Sequence, residues 1–155
     1  MNFEARIVRI EDELAIGQLR ARYCHFLDDM DWPAFIALFT PDGVFEGLSK
    51  VQGREALMRF FSLEVPKIAE RFWHFCTNGT VAIDGDRAVG RISMEYISTT
   101  QGQSYVSAGH YDDVMVKVDG EWKFVSRKIT FYFYSPLSEG FTGSPPLTVS
   151  NPAIY

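Results

Sequence analysis

With 155 residues, 46% of them apolar and 15% aromatic, the chain is long enough for one domain with a substantial core and too apolar to be disordered. A formal net charge of −5, with lysines and arginines scattered singly, leaves no basic stripe to displace counterions from phosphate, which argues against nucleic acid and anionic membrane surfaces as partners. Two cysteines without CxxC or zinc spacing, no signal-peptide pattern from Met1 to Arg6, and no apolar run near the roughly 20 residues of a membrane span predict a soluble, reducing, cytoplasmic setting with both thiols free.

The front of the chain reads as helix. Ile7, Ile10, Leu14, Leu19, Tyr23 and Phe26-Leu27 recur every three to four residues and predict one amphipathic stripe. Asp31-Trp32-Pro33 restarts a short helix: Asp31 is a good N-cap, and proline is tolerated in a first turn, where its missing N–H costs little. Trp32, Phe35, Ile36 and Phe39 supply the apolar face. Thr40-Pro41-Asp42-Gly43 predicts a turn, because proline presets φ at the second position. A short strand follows at Val44-Phe45-Glu46. A third helix runs from Gly53 to about Ser62 with Ala56-Leu57 and Phe60-Phe61 buried, and Pro66 disfavours its continuation.

From Phe72 onward the pattern changes to strands. Phe72–Ile83, Arg87–Thr99, Tyr105–Val118 and Glu121–Tyr134 are rich in β-branched and aromatic residues. Asp84-Gly85, Gln101-Gly102 and Asp119-Gly120 separate them. Asp-Gly between such runs signals a hairpin, because a type I′ turn needs positive φ at both central residues. Four long strands in series make a meander. The first domain is expected to span 1–134; the Pro-rich remainder, 135–155, is expected to be an extended arm packing on the domain or on a neighbouring subunit. Helices first and a long curved sheet after is an α+β plan: a cone of curved mixed sheet whose N-terminal helices cover an apolar pocket.

Three polar residues stand out as chemistry. Tyr23 and Asp28 fall near the end of the first helix, and His74 sits in the aromatic stretch Arg71-Phe72-Trp73-His74-Phe75-Cys76. Phenol, carboxylate and imidazole suffice for proton transfer without metal or cofactor, and a histidine titrates near neutral pH. The plain alternatives are a packed helix tyrosine, a helix-terminal surface acid and a core histidine bonded to backbone. Tyr23 and Asp28 are five residues apart, about 140° round a helix, so they share a face only if the helix ends or distorts before Asp28. Three scattered histidines without HxH or ExxH spacing imply no metal, and no Gly-rich phosphate loop implies a nucleotide cofactor.

An ordered series of short motifs resembles the NTF2-like superfamily, SnoaL-like branch. It comprises Ile16-Gly17-Gln18-Leu19 with Tyr23 and Asp28, Asp31-Trp32 with Phe35, Leu38-Phe39 and Pro41-Asp42-Gly43, then Gly53-Arg54-Glu55-Ala56-Leu57. His74 and Asn78 lead into Asp84-Gly85-Asp86, and Gly109 and Tyr111-Asp112 into Asp119-Gly120-Glu121-Trp122 and Arg127. The resemblance implies a curved α+β barrel, and the superfamily hosts many functions. In the scytalone dehydratase, bile acid 7α-dehydratase and hexachlorocyclohexane dehydrochlorinase families an aspartate ending the first helix pairs with a strand histidine, which implies a pairing of Asp28 with His74 here. The dehydrochlorinase has a lysine where this chain has Tyr23, so the chain looks more like the dehydratases there. Arg127 falls where the dehydrochlorinase has a functional arginine.

These readings predict a cofactor-free lyase of dehydratase type acting on a bulky apolar ring, steroid- or polyketide-like. His74 takes a proton, Asp28 orients His74 and stabilises the imidazolium, and Tyr23 assists the leaving oxygen. Arg127 either binds a leaving group or anionic tail, or pairs with Asp112 or Glu95. His110 and Tyr111 are adjacent on one strand, so one of them faces the pocket. Asn78 shares His74's strand face. Phe26, Trp32, Phe45, Phe61, Phe72, Tyr96 and Phe131 are expected wall residues. A double-bond isomerase and a non-catalytic ligand-binding or assembly module are the alternatives. Packing through the outer sheet face predicts a homo-oligomer, and the resemblance to the dehydratase-like families implies a trimer ahead of a dimer.

Overall fold

The computed structural model describes residues 2–141. Its elements run α1 (Phe3–Asp28), α2 (Trp32–Ala37), β1 (Phe39–Glu46), β2 (Lys50–Gln52), α3 (Arg54–Arg59), a π-helical turn (Phe60–Glu64), α4 (Val65–Ile68), β3 (Arg71–Asp84), β4 (Arg87–Thr100), β5 (Gln103–Val118) and β6 (Glu121–Pro136), closing on a 3₁₀ turn at Leu137–Glu139. The six strands form one mixed sheet in the order β2-β1-β6-β5-β4-β3. β1 runs parallel to β6, and every other pairing is antiparallel. α1 packs on both β3 and β6. The sheet therefore curls round the helix, and the expected α+β plan holds.

α1 begins on Asn2, whose side chain accepts the N–H of Ala5 at 2.9 Å. The expected single stripe is two. Ile16, Leu19, Tyr23, Cys24 and Leu27 are buried, whereas Phe3, Ile7, Ile10 and Leu14 are exposed. At about 100° per residue the second set lies on the opposite face of the helix from the first. Only the stripe on the C-terminal half meets the sheet. Met30, at φ 58°, breaks the helix, and Asp31 caps α2 by accepting from Ala34 N at 3.2 Å.

Pro41 and Gly43 do not form a free turn. They lie inside β1, where the register against β6 shifts between Phe39 and Val44, so turn-forming residues make a bulge in a strand. Pro66 does not end the third helical segment either. The chain widens into the π turn and re-enters α4 with Pro66 in its first turn, where no intrahelical N–H is lost. Leu57 and Phe61 are buried there, while Ala56 is exposed.

The four long strands match their expected spans within two residues. Gln101-Gly102 and Asp119-Gly120 both have two positive φ values, as the hairpins demand. The first hairpin turns instead at Gly85-Asp86, between paired Asp84 and Arg87, with Gly85 alone at φ 56°. β6 continues through Pro136, and the rest of the expected arm, 142–155, lies outside the described residues. No helix among the described residues is long and apolar enough to cross a membrane.

Candidate active site

The sheet's concave face and the helices enclose a cavity of about 100 Å³ that opens in part to solvent. Phe45, Phe60, Phe61, Phe72 and Phe131 line it together with Leu27, Ile68 and Ile129. Its polar groups are four phenols, of Tyr23, Tyr96, Tyr111 and Tyr134, and one imidazole, that of His74. Such a wall suits an apolar ring held by a few polar contacts.

Alternation along β3 sends Phe72, His74 and Cys76 inward and Arg71, Trp73, Phe75 and Thr77 outward. Asp28 is the last residue of α1. Its Oδ1 lies 2.6 Å from His74 Nδ1, and its Oδ2 accepts the His74 backbone N–H at 2.9 Å. An ionised carboxylate only accepts, so Nδ1 carries the proton and Nε2 is left as the basic nitrogen. The double grip locks both the ring and the strand. α1 stays helical through Asp28, so the carboxylate gains the strand because it ends the helix, without a break before it.

The structure places Tyr23 and Asp28 on different sides of α1. Tyr23 is 1% exposed and sits among Phe35, Phe39, Phe124 and Tyr111, with its ring on the cavity wall. The phenol nearest His74 is that of Tyr96, its cross-strand partner, with ring centroids 4.9 Å apart. Ser98 Oγ lies 3.3 Å from the Tyr134 hydroxyl at the same end. Burial pushes the hydroxyls of Tyr23, Tyr96, Tyr111 and Tyr134 above the ordinary phenol range. For Tyr23 and Tyr111 the charge of Arg127 works in the opposite direction.

Arg127 is fully buried and lies behind the cavity wall. Its guanidinium carbon is 4.0 Å from the ring centroids of both Tyr23 and Tyr111 and 4.7 Å from that of Phe124. It pairs with neither Asp112 nor Glu95. The acid beside it is Asp113, at 3.2 Å and off the hydrogen-bond line, and Asp113 is already bonded to Arg20 at 2.9 Å. Asp112 lies outside, bound to Arg91 and to His110.

Tyr111 faces the cavity. His110 points to the other face, bonded to the Tyr132 hydroxyl at 2.8 Å. Asn78 is exposed, at φ 54° in a bulge between Thr77 and Thr80, so the parity expected from His74 fails after the extra residue. Trp32 stands edge-on to Phe35 at 6.4 Å, and Phe35 in turn packs on Phe61, which separates Trp32 from the cavity. Phe26 does not line it either, whereas Phe45, Phe61, Phe72, Tyr96 and Phe131 do. Sequence reasoning passed over Tyr134, Leu48, Val65 and Ala69, which only the curl of the sheet and the π turn bring to the wall. Among the described residues no cluster of three or more His, Cys, Asp or Glu could hold a metal ion.

A model of the SnoaL-like domain matches residues 8–128. A hexachlorocyclohexane dehydrochlorinase from Novosphingobium barchaimii LL02 superposes with a TM-score of 0.79 at 18% identity, over 92% of this chain and 99% of that one. A provisionally named scytalone dehydratase from Novosphingobium aromaticivorans gives 0.76 at 20% identity, over 92% and 96%. A provisionally named aromatic ring hydroxylase from the same organism gives 0.76 at 27% identity, over 82% and 94%. The first two likenesses establish the fold.

Proposed function

The chain belongs to the SnoaL-like domain family, and from that premise we propose that it is a cofactor-independent lyase eliminating water or halide from a bulky apolar ring. The observation that carries this reading is the 2.6 Å contact between Asp28 and His74 Nδ1 at the wall of an aromatic cavity. Nε2 of His74 takes a proton from the carbon next to the leaving group. The C–H electron pair becomes the new double bond, and the leaving group departs with its electrons. Asp28 stabilises the imidazolium that forms, as the aspartate of a catalytic triad does. Tyr96 and Tyr23 are the phenols available to hydrogen-bond the departing group, and their raised pKa values keep them protonated for that task. Two of the neighbours carry lyase names, and the third carries the name of a hydroxylase of aromatic rings, a different reaction.

Arg127 serves this site through the two tyrosines it stacks on. Self-association, as a trimer ahead of a dimer, and a cytoplasmic setting belong to the same proposal. The exposed Trp73, Phe75 and Ile97 on the outer sheet face supply apolar surface for a second copy.

The test is turnover of a panel of hydroxylated and halogenated cyclic compounds by the wild type, Asp28→Asn and His74→Ala. The expected loss for Asp28→Asn is about 10⁴-fold, with unchanged ring-ligand affinity and a stability loss of about 1–3 kcal/mol from the weakened grip on His74. Variants that turn over as fast as the wild type would sink the reading. Altered affinity without turnover in any form would point to a binding module, and a product with no released water or halide to an isomerase.

A further inference from the structure

Two thiols that acid–base chemistry leaves unused stand beside the dyad. Cys24 lies one helical turn before Asp28 on α1, and Cys76 lies two residues beyond His74 on the same face of β3. The Sγ atoms are 3.5 Å apart, with Cys24 donating to Cys76. The same helix and strand are thus joined by two neighbouring rungs, one of sulfur and one of carboxylate and imidazole. Both cysteines and His74 line a groove between α1 and β3. Cys24 is buried and Cys76 only partly so, which makes Cys76 the sulfur a small oxidant meets first. The hydrogen bond from Cys24 also holds the Cys76 thiol below the ordinary thiol range and pushes Cys24 up. The thiolate is the nucleophilic form.

We propose that Cys24 and Cys76 form a reversible dithiol–disulfide site, oxidised by a peroxide, whose closure resets the geometry of Asp28 and His74. Cys76 Sγ attacks one peroxide oxygen, the O–O bond breaks, and Cys76 becomes a sulfenic acid with release of water or an alcohol. Cys24 Sγ then attacks Cys76 Sγ, the S–O bond breaks, the S–S bond forms, and the second oxygen leaves as water. Two electrons pass from the sulfurs to the peroxide, and both thiol protons leave in those products. A thiol reductant reverses the step by exchange. The sulfurs must close from 3.5 Å to about 2 Å. α1 or β3 takes up that movement within one turn of Asp28 and two residues of His74.

The effect on turnover rests on the acid–base reading, but formation of the disulfide does not. The experiment treats the reduced full chain with equimolar hydrogen peroxide. Intact mass and non-reducing peptide mapping follow the sulfurs, and ¹⁵N NMR follows the His74 ring. The expected result is loss of two hydrogen masses, a Cys24–Cys76 linked peptide, reversal by dithiothreitol, and displaced His74 signals in the wild type. Those signals stay in place in Cys24→Ser, or in Cys76→Ser should the first variant not fold. No reaction, an inter-chain bond, or sulfinic acid on Cys76 without linkage overturns the site. A linkage that leaves His74 unmoved overturns its coupling to the dyad. Neither readout needs a substrate, so inactivity of both redox states would count against the lyase reading alone.

Discussion

Asp113 holds together a buried charge cluster with one cation in excess, and removing it should cost far more than removing Arg127. Arg20, Asp113 and Arg127 have side chains 5%, 0% and 0% exposed. One carboxylate thus serves two guanidinium groups, and none of the three Arg127 guanidinium nitrogens has a hydrogen-bond partner among the described residues. Asp113→Asn leaves two buried cations without an anion, and breaking a buried pair in this way costs about 3–5 kcal/mol. Arg127→Met keeps the one well-made bond, Arg20 to Asp113 at 2.9 Å. It removes the unmatched charge and fills the slot between Tyr23 and Tyr111 with a flexible apolar chain. Its loss is the cation–π attraction, about 0.5–2 kcal/mol, set against relief of a desolvation penalty of several kcal/mol. The net change should fall within about 1 kcal/mol of zero. Equilibrium urea unfolding measures both variants. At about 2–4 °C per kcal/mol for a domain of this size, Asp113→Asn should lower Tm by roughly 10 °C and Arg127→Met by a few degrees at most. Equal losses for the two, or an Asp113→Asn variant as stable as the wild type, would refute the charge accounting.

Tyr23, Tyr96, Tyr111 and Tyr134 are neutral in the fold with pKa values raised by burial. The stability this contributes is fully present below the unfolded phenol value of about 10 and declines as pH rises above it. Alkaline absorbance titration should therefore show these phenolates only as circular dichroism is lost; full ionisation in a native fold would contradict the burial. Gly109→Ala should destabilise by about 1–3 kcal/mol, because an added Cβ would collide with the Thr130 carbonyl oxygen across the β5–β6 bulge; urea unfolding reads it, and no change would mean that the bulge yields. Asp31→Ala removes the cap on Ala34 N and should cost about 1 kcal/mol in the same assay. Trp73→Glu with Phe75→Glu should reduce the mass seen by light scattering, and an unchanged mass would move any interface off the outer sheet face.

Much of the fold was legible because it rests on local rules. The Asp31 cap, the Asp119-Gly120 turn and the alternation of β3 each act over a few residues, and each appears where the residues place it. Several of the misreadings share one cause. Bulges at Pro41-Asp42-Gly43 and Asn78, and a π turn before Pro66, each change the phase of a segment by a residue or so. A one-residue change moves every later side chain to the other face. Asn78 left the pocket side for that reason. Phe3, Ile7, Ile10 and Leu14 show the same limit on a helix: apolar spacing marks a stripe but cannot say which of two stripes meets the sheet.

The residues of the candidate site divide in the same way. His74 and Asp28 could be singled out because imidazole and carboxylate are rare inside an apolar frame, and the family resemblance implied their pairing. That Asp28 grips both the ring and the backbone of His74 follows only from where α1 ends against β3. Tyr96 became the phenol nearest His74 through strand register, and Arg127 became a buried cation between two rings through the curl that brings β5, β6 and α1 together. Chain chemistry alone determined most of the element types and the turns at Gln101-Gly102 and Asp119-Gly120, since those depend on residues within a few positions of one another. Partners 46 to 93 residues apart, such as Asp28 with His74 and Arg20 with Asp113, were decided by tertiary structure, because their distances depend on every bulge, register and packing contact between them.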